Sequence, residues 1–83
     1  MKTVYEMVVF KGTGEEAALL HRSLKKNGLT GAEEFVLLRY LDLPIPWELD
    51  VMFRFMDCRR YHMVIKAVLD RLPDDARQRV DAE

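Results

Sequence analysis

Residues 41–46, Leu-Asp-Leu-Pro-Ile-Pro, divide the chain near its middle. Each proline fixes φ and lacks an N–H donor, so neither a helix interior nor a central strand can run through this stretch. Whatever these 83 residues build, they build from short elements on either side of that break. A chain of this length is one domain, and it buries only roughly 60% of its unfolded surface. Docking onto a second copy or a partner is a common supplement at this size. The hydrophobic fraction, 49%, disfavours disorder over most of the chain. Residues 1–73 read as a single compact domain, and residues 74–83 as a polar C-terminal tail.

Before the break, residues 3–10 (TVYEMVVF) are β-branched and aromatic, and read as a strand. Thr13 and Glu16 have the spacing of a capping box, in which each side chain accepts from the other residue's backbone N–H. A helix over 14–27 follows, with Ala17, Leu20 and Leu24 on one face. It stops at Asn27-Gly28, where Gly28 suits the left-handed C′ position and Leu29 would fold back toward Leu24. Thr30 and Glu33 repeat the capping signature and predict a second helix over 31–42. Here the periodicity is mixed, since FVLLRYL (35–41) also reads as a buried strand.

Beyond the break the same ambiguity returns. As a helix over 46–57, the stretch groups Asp50, Arg54 and Asp57 at pair spacings, with Pro46 in its first turn. As a strand, 51–56 alternates Val51, Phe53 and Phe55 with Met52, Arg54 and Met56. From Asp57, a plausible N-cap, the pattern is plainly helical. Tyr61, Val64, Ile65, Val68, Leu69 and Leu72 recur on one face, and Pro73 ends a helix predicted over 58–72. The predicted architecture is α+β and mostly helical: one N-terminal strand followed by these four helices. The alternative is a βαββα unit like a truncated ferredoxin-like fold.

Strand, helix, Asn-Gly-Leu-Thr turn and second helix over residues 3–42 are similar in order and spacing to ribbon-helix-helix repressors. That resemblance implies a dimer whose paired strands enter the major groove. The alternate strand positions are Tyr5, Met7 and Val9, or Val4, Glu6 and Val8, which are poor readers of base edges. The order alone identifies no family. Thirteen basic and fourteen acidic residues leave a net charge of −1, whereas domains that neutralise phosphates usually carry a basic excess. Nucleic-acid binding is disfavoured on that ground.

Chemistry is equally hard to place. Cys58 and His62, four apart, share a helix face, but no orienting group or oxyanion site accompanies them. A metal would need at least one more ligand, with His21 the other strong candidate. Gly-Thr-Gly at 12–14 lacks the further glycine and the Lys-Ser/Thr of phosphate loops, and capping accounts for it. No catalytic, metal or cofactor-binding residue is assigned. One cysteine, no signal peptide and no apolar run near ~20 residues predict a cytoplasmic chain that does not engage a membrane.

One surplus remains. Trp47, Met52, Phe53, Phe55, Met56 and Tyr61 fall within fifteen residues, more apolar bulk than so small a domain readily covers, and of types enriched at interface cores. Arg59 and Arg60 sit near a helix N-terminus, where the dipole disfavours positive charge. The expectation is a small non-enzymatic regulatory or inhibitory protein that binds another protein through Trp47, Met52, Phe53, Phe55 and Met56, with Arg59 and Arg60 at the rim. A homodimer is expected too, because a lone strand leaves open backbone edges. The alternative is a dimeric DNA-binding regulator of ribbon-helix-helix-like or helix-turn-helix-like type.

Overall fold

Four helices follow one another in the computed structural model, which describes residues 10–72. They are α1 (Gly14–Lys26), α2 (Gly31–Leu41), α3 (Trp47–Phe53) and α4 (Cys58–Leu69). The α+β expectation is corrected: among the described residues the architecture is all-helical, with no strand. The predicted strand over 3–10 lies outside them except for Phe10. That residue donates its N–H to the Tyr40 carbonyl (3.4 Å) and sets its ring edge-on to Tyr40, centroids 6.1 Å apart.

Both capping boxes form. Thr13 Oγ1 accepts from the Glu16 N–H (3.1 Å) while Glu16 Oε1 accepts from the Thr13 N–H (2.8 Å). At α2 the reciprocal pair is Thr30 and Glu33, at 3.2 and 2.9 Å. Each box satisfies two backbone donors, one of them an orphan of the first helical turn. Between the helices Gly28 takes φ 94°, a region open to glycine without Cβ strain. Arg71 clasps this turn from beyond α4, donating to the Gly28 carbonyl (2.6 Å) and to Glu33 Oε1 (3.3 Å).

α2 is the central helix and touches each of the other three. Phe35, Val36, Leu37, Leu38, Tyr40 and Leu41 are all buried, which explains why its sequence shows no single apolar face. A helix surrounded by neighbours is apolar nearly all round. The strand alternative for 35–41, and with it the βαββα unit, is overturned: a helix satisfies its own backbone there, whereas a strand would need partners on both edges. Arg39 is exposed within the otherwise buried second half of α2, its guanidinium 5.2 Å from the Phe35 ring centroid. Against α2 pack Ala17 and Leu24 of α1, and Tyr61, Ile65 and Val68 of α4, with Leu72 beyond.

The second strand alternative, 51–56, is also overturned. α3 is helical to Phe53, and Arg54–Phe55 form a turn. The predicted span of 46–57 runs too long because Asp57 already belongs to the next helix. Its Oδ1 accepts from the Arg60 N–H (2.8 Å), and its extended backbone (φ −73°, ψ 161°) cannot continue α3.

Candidate protein-binding surface

α3 splits its apolar residues between two directions. Leu49 and Phe53 turn inward, and Phe53 sets its ring against Phe35 with centroids 5.9 Å apart. Half-buried Met56 also packs against the core. Trp47, Val51 and Met52 lie on the outward half of the helix, with Phe55 in the turn after it. Trp47 is 72% exposed, Met52 71% and Phe55 90%. The structure thus brings Trp47, Met52 and Phe55 to the surface and commits Phe53 and Met56 to packing. Arg59 and Arg60 are exposed in the first turn of α4. Arg54, between the two groups, is held by Asp50 at 2.9 Å.

Such a surface can do one thing well. Exposed apolar atoms lower the free energy when covered, by about 1.5–3 kcal/mol for each fully buried large side chain. Exposed arginines such as Arg59 and Arg60 offer planar donors to carboxylates. A sequence reading finds the residue types but not their direction, because α3 has only seven residues and both its faces carry aromatics.

A second feature escaped the sequence reading. Between α1 and the α2–α3 connection runs an open groove of about 600 Å³. At its wall the half-buried Glu34 carboxylate accepts from His21 Nε2 (2.9 Å) and Lys25 Nζ (3.0 Å), both on the same oxygen. Burial by itself pushes the Glu34 carboxyl up. The hydrogen bonds from His21 and Lys25, with the charge they bring, outweigh it and hold the group below its ordinary value. The spacing of His21 and Lys25 on α1 is a legible signal, whereas Glu34 in sequence shows only a first-turn acid.

Cys58 is half-buried at the start of α4 and His62 is exposed. His21 serves Glu34 across the α1–α2 contact. Among the described residues no three His, Cys, Asp or Glu side chains gather in a way that could hold a metal ion. Among them, too, no helix is long and apolar enough to cross a membrane. Of the stretch that resembles ribbon-helix-helix repressors, 3–42, the strand positions Val4 to Val9 lie outside the described residues. No protein-family model, curated protein or solved structure matches the chain.

Proposed function

We propose that this chain is a non-enzymatic regulatory or inhibitory protein that acts by binding another protein. The observation that carries the reading is the outward set on α3 and its following turn. Trp47, Met52 and Phe55 stand in solvent, although the core around α2 closes without them. Large apolar side chains left in solvent within nine residues, with exposed Arg59 and Arg60 next along the chain, are of the residue types enriched at interaction sites. Trp47 and Phe55 are the anchors, and Arg59 and Arg60 pair with acidic groups around them.

The test compares the wild-type chain with a Trp47→Ser/Phe55→Ser variant as bait in lysate from the source cells. Unchanged thermal unfolding together with loss of a specifically retained protein supports the reading. Equal retention by both baits ends it. Sedimentation of the two pure proteins separates the possible occupants: a dimer that the double substitution dissolves makes the partner a second copy of the chain.

A further inference from the structure

The exposed set on α3 begins at Trp47, and Pro46 immediately before it lines the groove against α1. Ala18, Leu38, Leu43, Pro44 and Pro46 supply the apolar part of the groove's lining, and Arg22, Lys25 and Lys26 of α1 its basic part. Glu34 is the lone carboxylate in this lining, and His21 and Lys25 already occupy it. Among the described residues no carboxylate pairs with Arg22 or Lys26. The α1 dipole accounts for basic residues in the last turn, Lys25 and Lys26. It does not account for Arg22, one turn earlier.

We infer that the groove takes an extended acidic segment of the partner protein, its carboxylates on Arg22 and Lys26 and its alternate apolar side chains against Leu38, Leu43 and Pro46. This rests on the protein-binding reading above and names the chemistry of the partner. Two features select that occupant. Ala18, Arg22 and Lys26 follow at four-residue steps, a row of about 12 Å along the helix, which about four residues of extended peptide span. Pro44 and Pro46 lack N–H donors, so recognition goes through side chains and not through an added strand.

The experiment is an NMR titration of the 15N-labelled chain with a short synthetic peptide alternating Glu and Leu, beside a matched Lys/Leu peptide and decanoate. The Glu/Leu peptide is expected to shift the backbone amides of Ala18, Arg22, Lys26 and Leu43, and to lose affinity severalfold as salt is raised. Arg22→Glu with Lys26→Glu should weaken it at least about tenfold by reversing both contacts. Equal binding of the Lys/Leu peptide, shifts centred elsewhere, or saturation of the groove by decanoate alone overturns the inference. The Trp47→Ser/Phe55→Ser variant separates the two readings. If it loses the retained protein but the Glu/Leu peptide fails in the groove, only the groove inference falls. If it loses nothing while the peptide still binds through Arg22 and Lys26, the α3 surface falls and the groove stands.

Discussion

Asp42 ends α2 in the left-handed region, φ 58° and ψ 42°, a conformation that costs an ordinary L-residue about 1 kcal/mol. Around it the chain closes a Schellman turn: the Asp42 N–H donates to the Arg39 carbonyl (3.2 Å) and the Leu43 N–H to that of Leu38 (2.9 Å). Asp42→Gly is therefore expected to stabilise the protein by about 0.5–1 kcal/mol, measured by urea unfolding. Glu34 yields a second prediction. Its folded pKa lies below the ordinary 4.5, so the stability it contributes is complete above that value. It is lost as pH falls from there through the folded pKa. Glu34→Gln should flatten the acid side of the stability profile in that window, and an unchanged slope would show the His21–Glu34–Lys25 contact to be energetically idle. Neither residue announces its role in sequence. A left-handed aspartate and a half-buried carboxylate both depend on what the folded chain places around them.

At the scale of elements, the helix starts were the legible part. Thr13–Glu16 and Thr30–Glu33 both form the boxes that their spacing predicts, because a cap is settled within four consecutive residues. Thr13→Ala and Thr30→Ala should each lower stability by about 1 kcal/mol. The α2 substitution is expected to cost more, since the Arg71 guanidinium also rests on Glu33 and loosening that carboxylate disturbs the clasp on Gly28. Thermal unfolding of the two variants side by side decides the order. α1 and α4 were legible from one apolar stripe each, whereas α2 and α3 left helix and strand both open. A helix enclosed on most sides has no polar face to set its period, and seven residues of α3 complete only two turns.

For the whole molecule, the division of α3 between core and solvent makes the sharpest energetic contrast. Phe53→Ala removes a ring packed on Phe35 and is expected to cost about 2–4 kcal/mol, toward the lower part of the range for aromatic truncation because the ring is half-buried. Phe55→Ala, two residues on, should change stability by less than about 0.5 kcal/mol because its ring is 90% exposed. Denaturant titration of both checks this assignment of α3's orientation: equal losses would mean that Phe55 is covered in solution. The contrast also bears on function, since a residue that can be removed without unfolding the chain is free to serve a partner. Of the surplus read from sequence, Trp47, Met52 and Phe55 are exposed and are expected to meet that condition, while Phe53 and Met56 pack against the core.

By itself the sequence determined where α1 and α4 begin, that residues 41–46 break the chain, and which faces of α1 and α4 turn inward. These are decided by bonds and periodicities within a few residues, and they hold whatever the rest of the chain does. Tertiary structure alone decided that α2 sits at the centre, which aromatics of α3 point outward, and that His21, Lys25 and Glu34 meet beside an apolar groove. Each of those depends on how one helix lies against another, and contacts between residues distant along the chain leave no local trace in the order of amino acids.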